Sequence, residues 1–440
     1  MAVAAGSFAQ TASPTPNVAK ADPVLTLREA VRLAAARNGT LRAQVAAVRG
    51  AAASQDAAKA AFFPTLSPKV SYSNGATYSD GKTFSNNSGS GSGTGFSSSD
   101  NGWTIGAEAS IRLLDSGQRN LNFMQAKRGT MSQEATLTQT LRSTLFSVEK
   151  AYLEVLRAES LQKVQDAQAV RTDSILKQTQ KRVEVGDAAP IDTLQATADA
   201  LNAQVNVITA RTKTIGNQAS LKAIIGLGAA EPLPALEPVG TEVPADNFGT
   251  VNEAVKEGLQ NRQDLRASRL GVQSQEYAAK ASKLETGLTF AADASIGAYA
   301  RPRYGSDALS VSLSYPLFDG GLTRANYRRS VATLEELRQR LVQSERDATS
   351  EIETAMASYR QGTLRLRAAT AAVEAARINY QAAERSRELG ASDLIDVLTA
   401  QVSLVTAETN YIEALYDTLI AYRQVEFAIG RKLGLELLAP

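Results

Sequence analysis

The chain of 440 residues contains no cysteine and no histidine. Without cysteine there is no disulfide framework, no thiolate metal site and no residue for a lipid anchor at a mature N-terminus. Without histidine there is no Ser-His-Asp arrangement and no Cys/His nucleophile pair. A catalyst would have to rely on carboxylates, Lys, Tyr or a cofactor. No such cluster emerges along the chain, so no enzyme, catalytic residue, metal site or cofactor is expected. Neither sign of charge dominates: 47 Lys+Arg face 45 Asp+Glu, a net +2. A nucleic-acid binder would carry a basic excess, so no nucleic-acid partner is expected. Nowhere do the roughly 18 apolar residues of a transmembrane helix occur in a row, so any insertion into a membrane must use strands. Aromatics make up only 6% of a chain rich in alanine, a balance that suits long helices better than a compact enzyme.

What the chain does contain is a duplication. Leu113-Leu114-Asp115-Ser116-Gly117 matches Leu317-Phe318-Asp319-Gly320-Gly321, with Asp115 and Asp319 204 positions apart. The stretch from Gly186 to Ala196 matches Gly390 to Ala400 at the same offset. Upstream, Glu29-Ala30-Val31 pairs with Glu253-Ala254-Val255, and Leu41-Arg42-Ala43 with Leu265-Arg266-Ala267, at an offset of 224. About twenty extra residues therefore lie in the first half, and the Ser/Gly/Asn run Ser85 to Gly102 is where they read as a long loop. Residues 1–24 read as a disordered tail or a signal-peptide remnant. Ser7-Phe8-Ala9 has the small-x-small form of a cleavage site, but no basic segment or full apolar core precedes it. The first repeat is assigned to 25–226, a linker marked by Pro232, Pro234, Pro238 and Pro244 to 227–247, the second repeat to 248–433 and a tail to 434–440.

Each half alternates apolar and polar residues in two short segments. Trp103, Ile105, Ala107, Ala109, Ile111 and Leu113 share one parity, and Leu309, Val311, Leu313 and Tyr315 do the same in the second half. The pattern predicts one hairpin from 65–84 with 103–114 and another from 286–300 with 308–318. Segments near ten residues with Tyr and Trp at their ends have the length and flanks of membrane-spanning strands. An ordinary half-buried sheet shows the same alternation. The rest reads as helix: long helices at 117–185 and 322–389, and shorter ones at 27–60, 191–225, 250–283 and 393–432. The first long helix carries a seam of Leu137, Leu141, Leu145, Val148, Tyr152 and Val155, spaced by threes and fours as in a coiled coil. Gly186 and Gly390 mark the turns between long and returning helix. Asp115 and Asp319 stand where they can cap the long helices, and Gly117, Gly320 and Gly321 where the chain must bend. Four strands cannot close a barrel, and an open sheet edge is forbidden in lipid, so a membrane-inserted protomer demands oligomerisation.

This order of strand hairpin, very long helix, Gly turn and returning helix, given twice over residues 25–433, resembles the TolC-type outer-membrane factors. Three markers carry the resemblance. Leu27–Asn38 is similar to the family's L-x-E-A-x-x-x-A-x-x-x-N. Tyr315-Pro316-Leu317-Phe318-Asp319-Gly320-Gly321 is similar to its P-L-F-D-G-G strand-to-helix junction. Gly390 with Asp396-Val397-Leu398 is similar to its turn motif, echoed by Gly186 with Asp192-Thr193-Leu194. The resemblance implies a mainly α fold with a small β part: an α-helical coiled-coil tunnel and four transmembrane strands per protomer, closing a 12-stranded barrel in a homotrimer. It also implies an exit duct in the outer membrane of a Gram-negative bacterium, reaching into the periplasm. The duct would serve a tripartite efflux pump or type I secretion, with a periplasmic adaptor and an inner-membrane pump of RND or ABC type as partners.

The resemblance further implies that the helix tips form the gate. Acidic rings line the family's constriction with the motif D-V-L-D. Asp396 matches its first acid and Thr399 replaces its second, while Asp192 is the first-repeat echo. Arg387 stands where some members hold the closed gate with a Tyr; an Arg there could pair with an acidic group on a neighbouring helix, and a solvated Arg at a helix end fits the position as well. Gly186, Gly390, Leu194 and Leu398 become tip and adaptor-contact positions. Asp115, Gly117, Pro316, Asp319, Gly320 and Gly321 become the barrel-to-helix junction. Asp192 and Asp396 also fit a plain role at a positive helix N-terminus. The competing readings are a periplasmic adaptor, which usually has a single helical hairpin, and a soluble helical scaffold.

Overall fold

The computed structural model describes residues 24–75, 100–228, 230–240, 242–285, 287–299, 304–389 and 391–431. In chain order these form α1 (Leu27–Arg37), α2 (Gly39–Ala60), β1 (Thr65–Gly75), β2 (Asp100–Leu114), α3 (Gln118–Glu184) and α4 (Pro190–Ile225). The second half supplies α5 (Val251–Asn261), α6 (Gln263–Lys283), β3 (Thr289–Tyr299), β4 (Tyr304–Ser314), α7 (Leu322–Glu388) and α8 (Leu394–Ile429). Both ends of α3 and α4 reappear 204 positions later in α7 and α8, and the first residues of α1, α2 and β1 reappear 224 positions later in α5, α6 and β3. The change of offset falls in the hairpin loops: 24 residues separate β1 from β2, and four separate β3 from β4. The 85–99 part of the loop expected at Ser85–Gly102 lies outside the described residues, and its last residues belong to β2.

Several boundaries differ from the expectation. The single helices expected at 27–60 and 250–283 are each broken, at Asn38 and at Arg262, which themselves stand 224 positions apart. Both residues have extended backbone, with ψ 123° and 125°. Asn38 Nδ2 donates to Ile224 O at 2.9 Å, at the end of α4, so it satisfies a helix-end carbonyl instead of continuing its own helix. Arg262 is held by Asp264 and Glu351, both at 2.7 Å. The fourth strand begins at Tyr304 and ends at Ser314, and Pro316–Phe318 belong to the junction that follows.

The two hairpins join into one antiparallel sheet of order β1-β2-β3-β4. Register explains its two faces. Val70 opposes Ile105, which opposes Ala298, and Ala292 opposes Val311. The other face carries Lys69, Glu108, Arg112 and Asp293 among serines. The apolar face is exposed: Leu66, Val70, Ile105, Ile296, Leu309 and Leu313 all remain open. Strand β1 has 11 residues; at about 3.3 Å each, tilted by about 40°, such a strand crosses roughly 25–30 Å, the height of a barrel's lipid-facing band. Tyr72 and Trp103 meet near the loop end, ring centroids 5.2 Å apart. Exposed Phe62, Phe63, Tyr315 and Phe318 lie at the helix end of the strands, so aromatics flank the band on both sides.

The chain divides into two compact units that cut across the repeats. One comprises Met1–Gly39, Arg142–Val251 and Glu353–Pro440; the other comprises Thr40–Leu141 and Asn252–Ile352. Each draws matching pieces from both halves, so the unit of duplication is not the unit of packing. In the first, Leu145, Val148, Tyr152 and Val155 of the seam are fully buried. The single hydroxyl proton of Tyr152 is shared between Leu25 O at 2.9 Å and Glu237 O at 2.7 Å, pinning the start of the described chain and the linker to α3. The second holds the sheet. There Ser132 donates to Ala267 O at 2.8 Å and Ser274 to Gln125 O at 2.9 Å, so α3 and α6 approach through small side chains. No described helix is long and apolar enough to cross a membrane.

Candidate functional site: the helix tips and the strand-to-helix junction

The two junctions share one backbone solution. Each enters a long helix through two consecutive residues of positive φ: Ser116 (55°) and Gly117 (87°), then Gly320 (66°) and Gly321 (88°). Left-handed backbone is cheap for glycine and costly for serine. Ser116 is the one non-glycine residue of positive φ among the described residues. Its Oγ donates to Leu288 O at 3.0 Å, which helps to hold it there. The preceding aspartates cap. Asp115 accepts from Gly117 N (3.2 Å) and Arg119 N (3.0 Å), and Asp319 from Gly321 N and Thr323 N, both at 2.8 Å. The two caps differ in surroundings. Asp115 is buried and paired to Arg119 at 2.8 Å. Asp319 is open to solvent, and the Thr323 side chain and the backbone N–H groups of Thr323 and Gly321 pull its carboxyl down to about 2.

Arg119 was not singled out from the sequence. It also donates to Ala61 O (3.3 Å) and Leu113 O (3.2 Å) and lies over the Phe62 ring at 5.2 Å. It therefore ties the start of one strand to the end of its partner. Its spacing of four residues after Asp115 is the signal that could have found it. Pro316 is exposed at the start of the second junction, just after β4.

At the opposite end of α3, Gly186 has φ 81°. Asp187 N donates to Arg182 O at 2.8 Å and Gly186 N to Val183 O at 3.1 Å, closing the helix in the 6→1 and 5→2 pattern of a Schellman turn. The Arg182 side chain returns to Asp187 at 2.8 Å. In the second turn Ala391 N donates to Ser386 O at 2.8 Å, the equivalent 6→1 bond. Gly390 lies outside the described residues. Because Ser386 and Ala391 replace Arg182 and Asp187, the ion pair belongs to the first turn alone.

The tip acids also differ. Asp396 is exposed and forms a capping box at the start of α8, accepting from Asp393 N at 3.3 Å. Asp192 lies in the first turn of α4 after Pro190, where Ala189 in the cap position provides no box. Thr399 is exposed, and its hydroxyl donates to Ile395 O of its own helix at 2.7 Å. Leu194 is 68% exposed, whereas Leu398 is 8% exposed, packed with Ile175, Tyr380, Val397 and Leu404. The two leucines thus occupy equivalent repeat positions in opposite environments.

Arg387 is buried, and its Nη2 donates to Thr179 Oγ1 at 3.0 Å. The carboxylate partner that the sequence suggested for it is replaced by a neutral hydroxyl. Burial lowers the guanidinium's pKa, the nearby Arg182 lowers it further, and the field of Asp192 opposes both. Lys181, Arg182, Asp187, Glu384, Arg387 and Glu388 line an open cleft at these tips. Nothing in the sequence around Thr179 pointed to its contact, which joins residues 208 positions apart. Among the described residues, no group of three or more Asp or Glu side chains could hold a metal ion.

A sheet with one apolar face, each of whose hairpins leads through a tight junction into a 67-residue helix that ends in a tight turn, defines a class: the outer-membrane channels with a helical extension. The outer membrane efflux protein family matches residues 30–227 and 254–431, one segment per repeat, and the chain belongs to that family. It is an outer-membrane exit channel for efflux or secretion, and not an enzyme. Among curated relatives, the outer membrane efflux protein BepC of Brucella suis is 24% identical over 352 residues, covering 76% of this chain and 74% of its own. The alkaline protease secretion protein AprF of Pseudomonas aeruginosa is 29% identical over 139 residues, 31% of this chain and 29% of its own. Among solved structures, the outer membrane protein VceC of Vibrio cholerae superposes with a TM-score of 0.78 at 17% identity, covering 92% of this chain and 96% of its own.

Proposed function

We propose that the chain forms a homotrimer whose twelve strands close a barrel and whose helices make a passive periplasmic duct. The observation that carries this reading is the sheet: one face is apolar, with Leu66, Val70, Ile105, Ile296, Leu309 and Leu313 exposed, and among the described residues strands β1 and β4 each leave an edge unpaired. An unpaired edge is forbidden in lipid, and one four-stranded protomer cannot remove its own. In this reading a periplasmic adaptor and an inner-membrane pump of RND or ABC type engage the tips. The relatives named for efflux and for protease secretion support both kinds of cargo route. Gating lies at the tips, with Asp192, Asp396, Thr399 and Arg387 near the constriction, and Gly186, Gly390 and Leu194 available to the adaptor. The burial of Leu398 favours Leu194 as the contacting leucine.

Detergent-solubilised mass together with single-channel conductance tests the duct; a monodisperse monomer, soluble without detergent, would overturn it. The capping box of Asp396 supports a second reading of that residue as a helix-end group. Three carboxylates at a narrow mouth concentrate cations and hinder anions. Under the gate reading, Asp396→Ala lowers cation selectivity in planar bilayers. Under the helix-end reading, permeation stays unchanged and only melting shifts. With Thr399 in place of a second acid, divalent cations should block weakly.

A further inference from the structure

The polar face of the sheet carries its charges in a fixed order. Four rows of this face follow from the register, taken from the helix end of the strands towards the loop end. Arg112 opposes Ala291, which opposes Ser312. Asp293 lies between Ser110 and Ser310. Glu108 lies between Ser67 and Ser295. Lys69 opposes Gly106. Each row holds one charge, and the order is positive, negative, negative, positive. The other positions of these rows are Ser, Thr, Gly or Ala, so the four charged residues are the long ones. Lys69, Glu108 and Arg112 are exposed, and Asp293 is half-buried.

Consecutive charges are diagonal neighbours, with backbones about 7–8 Å apart. In the duct reading the apolar face meets lipid, so this polar face lines the barrel. Twelve strands spaced by about 4.8 Å and tilted by about 40° give a circumference of roughly 75 Å and a backbone diameter of roughly 24 Å. A charged side chain reaching inward by about 5 Å then stands roughly 7 Å from the axis, inside the Debye length of about 8 Å at physiological salt. The wall charges therefore act on whatever passes. A tilt of about 40° of either hand also preserves their order along the axis.

We propose that Glu108 and Asp293 make a cation-favouring zone inside the barrel, bordered by Arg112 towards the helices and Lys69 towards the loops, so that the strands sort charged cargo independently of the tips. Three copies of each acid attract cationic solutes and delay anionic ones. The basic borders act in the opposite sense, which confines the zone to the middle of the strands. The rival arrangement is two neutral pairs, Arg112 with Asp293 and Lys69 with Glu108. Pairs so open to water are worth at most about 1 kcal/mol and hold their partners loosely. This inference rests on the duct reading and adds a second element of selectivity to it.

The chain has no cysteine, so a single introduced thiol can report the local potential without background. Ser295→Cys adjoins Glu108, Ser310→Cys adjoins Asp293, and Ser312→Cys lies in the row of Arg112. Each exchange replaces one oxygen by sulfur on an exposed side chain. In intact cells each variant is treated with a cationic trimethylammonium or an anionic sulfonate methanethiosulfonate, and the ratio of the two labelling rates is measured. The cation-to-anion ratio should be about fivefold higher at Ser295→Cys and Ser310→Cys than at Ser312→Cys. Adding Glu108→Gln and Asp293→Asn together should bring the first two down to the level of the third. Equal ratios at all three sites, unmoved by removal of both acids, would show neutral pairs and overturn the proposal. Val311→Cys, on the apolar face, should stay unlabelled. If Val311→Cys labels and Ser310→Cys does not, the faces are not placed as the duct requires, and that reading falls together with this inference. A protected Val311→Cys with flat ratios removes this inference alone, which distinguishes the two failures.

Discussion

Glu149 sits on α3 with a side chain only 2% exposed, its Oε2 3.7 Å from Arg423 Nε, while Arg423 makes its shorter contact, 2.8 Å, with Glu426. Burial raises the Glu149 carboxyl to about 7, with Arg423 pulling it down and Glu426 pushing it up. In the unfolded chain it would titrate near 4.5. Between those values the folded state binds more protons than the unfolded one, so the contribution of this group to stability falls as pH rises from about 4.5 through about 7. Glu149→Gln should therefore stabilise the protein at pH 8 by about 2–3 kcal/mol and give no gain near pH 4, as read by melting at the two pH values. Asp319 runs the other way. Its carboxyl lies below the ordinary 3.8, so its stabilising bonds are complete above that value and are lost as pH falls towards about 2. Asp319→Ala should lower the melting temperature at neutral pH and leave it unchanged below pH 2. At the buried equivalent, Asp115→Ala also leaves Arg119 without its carboxylate partner, and a loss of about 3–5 kcal/mol in a denaturant titration is expected.

Among the elements, the long helices were the most legible, because nearly seventy residues without proline and with a steady seam admit few other structures. Their observed ends differ from the expected ones by at most a single residue. The breaks at Asn38 and Arg262 were not legible. Neither is Pro or Gly, and each is set by a partner distant in sequence: Ile224 O for Asn38, Glu351 for Arg262. The same applies to the linker, whose prolines showed that it is not helical but not where it lies. Tyr152 holds it, through hydrogen bonds to Leu25 O and Glu237 O. Tyr152→Phe removes both bonds, leaving Leu25 O only its bond from Glu237 N at 3.1 Å, and should cost about 1–3 kcal/mol. Limited proteolysis should then cut within 227–247 sooner than in the wild type, with the long helices still intact.

For the whole molecule, the duplication was the decisive signal, and it is also where membrane topology can be tested. The β1–β2 loop has 24 residues against the four of its repeat equivalent, so the fold manages without the extra length. An epitope inserted within residues 85–99 should be tolerated and labelled on intact cells. Labelling only after the outer membrane is permeabilised would invert the topology. By itself the sequence determined the repeat, the strand faces, the capping aspartates and the family, since each rests on periodicity or on residues close together in the chain. It could not show that Leu398 is buried while Leu194 is not. It also could not show that Arg387 bonds a threonine hydroxyl. Those outcomes depend on which helix lies alongside, and equivalent positions of a repeat have different neighbours once the two halves pack together. Tertiary structure made that choice because burial and electrostatic partners are properties of the assembled helices, not of the short local motif that the two copies share.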